Sequence, residues 1–251
     1  MGFWLSKYKT TRKDMKTSFL RNTIAIGFLA ISLTACFDYE DEGPLQYEEE
    51  RFTLTDFDRL EIGDAFIIRV TEGSYFSVEV RGDRRNLDDL EVYKSGNTLV
   101  VRYDRYESRK HETYVDIVMP SISAAVFSGA TNSVITGFDD LELVNISLSG
   151  ASVSQIDVET VQLNINLSGA SVADLRGQAL SLDAEVSGAS SIKAFSLPVT
   201  NATLNVSGAS VAKITVSDNL VATISGASTV IYRGNPVISE DVSGGSSLQR
   251  D

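Results

Sequence analysis

Seven Ser-Gly pairs recur through the second half of the chain. Gly129, Gly150, Gly169, Gly188, Gly208, Gly226 and Gly244 each follow a serine, at spacings of 21, 19, 19, 20, 18 and 18 residues. Five of them sit in the string Ser-Gly-Ala-Ser. A fixed period of this length implies stacked coils, because a single unit cannot bury its apolar face and a stack can.

The residues ahead of each glycine alternate. Val144, Ile146 and Leu148 recur as Leu163, Ile165, Leu167, then Leu182, Ala184, Val186, then Ala202, Leu204, Val206, then Leu220, Ala222, Ile224. A strand has a side-chain period of 2, so these positions point inward. The intervening Asn145, Asn164, Asn166, Asp183, Glu185, Thr203 and Asn205 therefore point outward. A second apolar run follows each glycine, as in Val153 to Val158 and Val211 to Val216. Two or three strands per coil, stacked ~4.8 Å apart, make a parallel β-helix. Glycine suits its corners because it accepts positive φ and close approach to the next coil. Stacked serines there satisfy backbone groups, a structural role.

Residues 52–119 lack the repeat. They read as short alternating strands (FTLTDF, FIIRVTEG, YFSVEVRGD, LEVYKSGNTLVVRYD, YVDIVMP) with a hairpin turn at Ser95-Gly96-Asn97 and one helical turn at Asn86 to Leu90. The polar segment Tyr103 to Thr113 reads as an exposed loop that leaves His111, the only histidine, solvated. The fold expected is all-β: a parallel β-helix (solenoid) of ~19-residue coils over residues 120–251, preceded by a smaller N-terminal β region over 52–119.

Residues 1–35 read as a lipoprotein signal peptide. Lys7, Lys9, Arg12, Lys13, Lys16 and Arg21 face only Asp14, and the apolar run Thr23 to Ala35 is 13 residues long, too short to span a membrane. The run ends in Leu33-Thr34-Ala35-Cys36, which resembles the bacterial lipobox, so Cys36 is the expected lipidation site. Cys36 is also the only cysteine, which excludes disulfides and thiol catalysis. Residues 36–51, with seven acidic residues between Phe37 and Glu50, read as a solvated acidic tether reaching up to about 50 Å. The expectation is an exported outer-membrane lipoprotein, periplasmic-facing or at the cell surface, with the membrane as partner through Cys36.

Without the signal, 16 Lys+Arg remain against 33 Asp+Glu, a net charge of −17. That balance disfavours nucleic acid and anionic membrane surfaces as partners.

The repeat, its lead-in VDIVMPSISAAVFSGA, and the upstream FDRLEI, VRGDRRNLDDLEV and NTLVVRY resemble the auto-transporter-adhesin-like head GIN domain family. The similarity runs from about Phe52 to Leu248, with Ser-Gly-Ala-Thr at the first corner and Ser-Gly-Gly-Ser at the last as departures. It implies an exported all-β protein of the bacterial envelope and an adhesion role, and supplies no catalytic residues.

Two function classes compete. β-Helices host polysaccharide-cleaving enzymes, and Asp183 with Glu185, ~7 Å apart on one strand face, is the best candidate carboxylate pair. Its neighbours Asn164, Asn166, Thr203 and Asn205 provide no basic or aromatic clamp. One histidine and one cysteine leave no zinc cluster or histidine-based triad, and the chain has no phosphate loop or calcium nonapeptide, so no cofactor is expected. The binding reading takes the outward ladder of Asn145, Asn164, Asn166, Asp183, Glu185, Thr203 and Asn205 as a face for polysaccharide or an envelope protein. A purely structural solenoid, active only through the Tyr103 to Thr113 loop or the N-terminal strands, is the third possibility.

Overall fold

The computed structural model describes residues 43–251; the expected signal peptide, Cys36 and the first part of the expected tether lie outside the described residues. Five long strands, β9 (Asn132–Leu148), β10 (Val153–Leu167), β11 (Val172–Val186), β12 (Ser191–Val206) and β13 (Val211–Ile224), each bend once and pair in parallel with their neighbours. Each is one coil with two sides. The first side follows the Ser-Gly corner, and the second leads into the next corner. Register shifts at Ile156/Val158 and Val158/Thr160 mark the bend between them. The whole is an all-β solenoid of about seven turns.

The inward rows fall in register. Val144 lies beside Leu163, Leu163 beside Leu182, Leu182 beside Ala202, and Ala202 beside Leu220, all buried. Each buried Leu, Ile or Val side chain contributes roughly 1.5 to 3 kcal/mol, so the stack of coils makes one continuous core.

The corner glycines meet both conditions expected of them. Gly169 has φ +75°, and a Cβ there would collide with the carbonyl oxygen of Gly150 one coil earlier. That approach lets Ala170 N donate to Gly150 O at 2.7 Å, so the ladder continues around the corner. At the five Ser-Gly-Ala-Ser corners the closing serine is buried: Ser171 N donates to Ser190 Oγ at 3.3 Å, Ser190 N to Ser210 Oγ at 3.4 Å, and Ser210 N to Ser228 Oγ at 3.3 Å. Backbone groups that the corner would orphan in the core are thereby paired.

The smaller N-terminal β region extends the same two sides. On the second side, β2 (Arg59–Ile62) pairs in parallel with β6 (Thr98–Tyr103) and β8 (Ala124–Phe127). On the first side, β3 (Ile67–Glu72) pairs in parallel with β7 (Tyr114–Met119) and with β9. Antiparallel strands then close the end: β4 (Ser77–Asp83) on β7, β1 (Tyr47–Phe52) on β4, and β5 (Leu90–Ser95) on β6. Gly96 turns the β5–β6 hairpin at φ +59°. The helical turn α1 is Arg84–Leu87, capped by Asp83, and begins two residues earlier than the sequence pattern suggests.

Within the expected tether, Tyr47–Phe52 is an edge strand and not a solvated leash. Its Arg51 is paired along the strand and across it. Arg51 pairs with Glu49 at 2.8 Å and with Glu79 of β4 at 3.0 Å. Charges on an edge strand also discourage pairing with other chains. The last coil is divided at Gly234 into β14 (Thr229–Arg233), on the first side of β13, and β15 (Val237–Val242), on its second side. β16 (Ser247–Arg250) pairs with β14.

Candidate ligand-binding face

The outward residues of the second side form two straight rows. Asn145, Asn164, Asp183 and Thr203 are consecutive register partners in the first; Ser147, Asn166, Glu185 and Asn205 are partners in the second. Parallel pairing without a shift brings this about, because each residue then stands beside its equivalent ~4.8 Å away.

Hydrogen bonds organise part of the rows. Gln162 Nε2 donates to Asn164 Oδ1 at 2.9 Å, Asn164 Nδ2 to Asn145 Oδ1 at 3.0 Å, and Asn145 Nδ2 to the carbonyl of Ser123 at 3.3 Å. Asn166 Nδ2 donates to Glu185 Oε2 at 3.2 Å. Asn145, Asn164, Asn166, Asp183 and Glu185 line a shallow depression of about 260 Å³ together with Ser147. Thr203 and Asn205 stand exposed on the next coil, beside Asp183 and Glu185. The rows give way to exposed aliphatic residues at Val221, the register partner of Thr203, and at Val126, the partner of Ser147.

Asp183 and Glu185 share this face, but on the coils from Asn145 to Val221 their rows hold no arginine, lysine, histidine or aromatic side chain; the first cation in the Asp183 row is Arg59, beyond Ala124 and four strands away. Among the described residues no group of three His, Cys, Asp or Glu side chains is arranged to hold a metal ion. The arrangement offers paired amide donors and acceptors at regular spacing, which suits a repeating polar ligand. A larger depression of about 450 Å³ at the bend is lined by Asp140, Glu142, Glu159, Val161 and Leu180 among others.

A second polar constellation escaped the sequence reading. Asp83 and Asp89 flank α1 and are buried. Arg85 Nε donates to Asp83 Oδ1 at 2.7 Å, and Arg105 Nε to Asp89 Oδ1 at 2.6 Å, while Arg109 closes on the other Asp89 oxygen. The Arg109 guanidinium also lies over the Tyr103 ring, 3.5 Å from its centroid. The Arg85 hydrogen bond holds the Asp83 carboxyl well below the usual carboxylate range, against the opposing effect of burial. Burial pushes the Asp89 carboxyl up, but the hydrogen bonds from Arg105 and Arg109 outweigh it and lower its pKa. His111 is not solvated as expected. Its side chain is 19% exposed, its Nε2 lies 3.8 Å from Asp83 Oδ2, and its carbonyl accepts from Asn86 Nδ2 at 2.9 Å. The Tyr103 to Thr113 segment is therefore clipped to the body at several points. The clue in the sequence is the pairing of an acidic DRRNLDD with a basic RYESRK, but only the β5–β6 hairpin brings them together.

The fold and the corner pattern find a counterpart among known families. Residues 56–236 match the family described as "Putative auto-transporter adhesin, head GIN domain". The chain belongs to this family. Solved structures share the fold of this head GIN domain. A "putative adhesin" from Bacteroides fragilis superimposes with a TM-score of 0.78 at 18% identity, covering 82% of this chain and 97% of that one. A "putative adhesin" from Parabacteroides merdae gives 0.66 at 18% identity, covering 82% and 96%. A "putative lipid binding protein" from Parabacteroides distasonis gives 0.62 at 14% identity, covering 82% and 96%. No curated protein matches the chain.

Proposed function

We propose that this head GIN domain protein is a lipid-anchored adhesion module of the cell envelope or cell surface. It engages polysaccharide or another repeating envelope component through the face of Asn145, Asn164, Asn166, Asp183, Glu185, Thr203 and Asn205. The observation that carries the reading is the in-register ladder, with Asn164 Nδ2 bonded to Asn145 Oδ1 and Asn166 Nδ2 to Glu185 Oε2. These bonds hold short polar groups in fixed orientations on a solenoid, so little side-chain entropy is lost when a ligand docks. Membership in a family described as adhesin heads supports an exported, surface-acting, non-enzymatic protein. Cys36, lipidated after removal of residues 1–35, anchors it in the outer membrane.

The test is a binding screen of the full-length chain against a panel of envelope and host glycans, repeated with the N164A/N166A/T203A/N205A variant. Binding to at least one repeating polar glycan, weakened in the variant while the thermal transition stays in place, supports the reading. Binding that the variant leaves untouched removes the asparagine face from it.

A further inference from the structure

The basic residues of the later coils gather on one side, interspersed there with Asp157 and Asp174. From His111 onward the chain carries 14 acidic residues and only five basic ones, Arg176, Lys193, Lys213, Arg233 and Arg250. All five lie on first-side strands, in β11, β12, β13, β14 and β16. Four consecutive coils, β11 to β14, thus each place one cation on the first side, within a strip ~14 Å long at ~4.8 Å per coil.

At the centre of the strip Lys193 and Lys213 are direct register partners. Both reach solvent, and among the described residues neither makes an ion pair. Like charges side by side on neighbouring strands oppose sheet stability, so this pair contributes nothing to holding the coils together. Asp174, the register partner of Lys193 on the other side, is occupied by Arg176 at 3.3 Å. At the far end Arg233 is bonded to Asp251 at 2.7 Å and lies over the Phe195 ring, 3.8 Å from its centroid. The strip therefore has two open ammonium groups between two partly neutralised guanidinium groups.

We propose that this strip is a second binding site, for an acidic polysaccharide carrying one carboxylate or sulfate per sugar residue. Successive anionic groups meet Lys193 and Lys213 on successive coils. The spacing of one cation per coil matches a ligand with one charge per pyranose residue. Nucleic acid is a poorer fit, since its affinity grows with the number of phosphates neutralised and the rest of the chain is strongly acidic. A membrane surface is poorer too, because recognition of anionic lipid takes larger clusters of about 4 to 8 Lys/Arg. The strip tolerates the acidic remainder of the molecule because solvent-exposed charges are screened over ~8 Å at physiological salt. The inference shares with the proposed function only the premise that the ligand is a glycan, and it uses none of the asparagine face.

The experiment measures retention of the full-length chain on immobilised polygalacturonate, on fully methyl-esterified polygalacturonate, and on phosphatidylglycerol vesicles. Three proteins are compared: the unmodified chain, K193Q/K213Q, and N164A/N166A/T203A/N205A. The expected result is salt-sensitive retention on polygalacturonate, absent on the methyl ester and unchanged in the asparagine variant. In K193Q/K213Q it falls about tenfold, the sum of two exposed ion pairs. K193Q/K213Q removes the repulsion between the two lysines and breaks no ion pair among the described residues, so its thermal midpoint stays close to that of the unmodified chain. No retention of the unmodified chain on polygalacturonate, equal retention by K193Q/K213Q, or equal retention on the methyl ester overturns the proposal. Lysine-dependent retention on the vesicles with none on polygalacturonate assigns the strip to lipid phosphate and overturns it as well. Loss in the asparagine variant alone favours the other face and rejects this one.

Discussion

Asn164 donates its side-chain amide to Asn145 Oδ1 at 3.0 Å, bridging two coils on the outer surface of the solenoid. The bond is partly exposed and competes with water, so N164A lowers folding stability by only about 0.5 to 1 kcal/mol. Denaturant unfolding checks this directly, and a small effect means that variants of the row report on binding without the confusion of unfolding.

The corner glycines behave differently. Gly169→Ala imposes positive φ on an L-residue and drives its Cβ into the Gly150 carbonyl. The expected loss is about 2 to 4 kcal/mol, from conformational cost and steric conflict together. Gly96→Ala, at φ +59° with nothing within 4 Å of an added Cβ, carries only the conformational cost of about 1 to 2 kcal/mol. Urea midpoints of the two variants, measured side by side, should differ in that order.

The carboxyls of Asp83 and Asp89 both titrate below their ordinary range, for the reasons of hydrogen bonding given above. A carboxyl with a folded pKa below its unfolded value stabilises the fold fully above the unfolded value, about pH 4, and loses that contribution as pH falls through the folded value. Stability therefore declines on acidification below about pH 4. D89N is less stable than the unmodified chain at pH 7, and the difference narrows at pH 3. Parallel stability curves for the two proteins across this interval would contradict the assignment.

The proposed lipid anchor at Cys36 predicts a covalent readout. In a lipoprotein-processing host fed labelled palmitate, the full-length chain acquires the label and C36S does not, and C36S leaves the membrane fraction. Two chains or more hold a protein stably at a membrane where one is marginal, so the release of C36S is expected to be complete.

The second side of each coil was readable because burial there follows the strand period without interruption. Leu163, Ile165 and Leu167 face in and Asn164 and Asn166 face out, and the glycine spacing fixes which coil neighbours which. The same logic places Asp183 beside Thr203, as the register does. Tyr47–Phe52 was not readable, since a strand built from Tyr-Glu-Glu-Glu-Arg-Phe has almost no apolar alternation and depends on pairing to β4. The burial of His111 and Asp89 was hidden for a related reason. Their partners lie 16 to 28 residues away, across a hairpin, where composition alone suggests solvated charge. The cation strip lay between these cases. Arg176, Lys193, Lys213 and Arg233 all occupy outward positions, but at offsets of 7, 5, 5 and 7 residues from their corner glycines, so only Lys193 and Lys213 fall in register and the two arginines stand two residues further along their strands.

The central claim is that the asparagine-bearing face makes the adhesive contact. The most direct measurement is attachment of the full-length chain to a glycan identified by the screen, compared with N164A/N166A/T203A/N205A at equal folded concentration. The account predicts attachment weaker by at least about tenfold, as expected when several polar contacts of about 0.5 to 1 kcal/mol each are lost, with an unfolding midpoint within error of the original. Attachment of equal strength by the folded variant would contradict it.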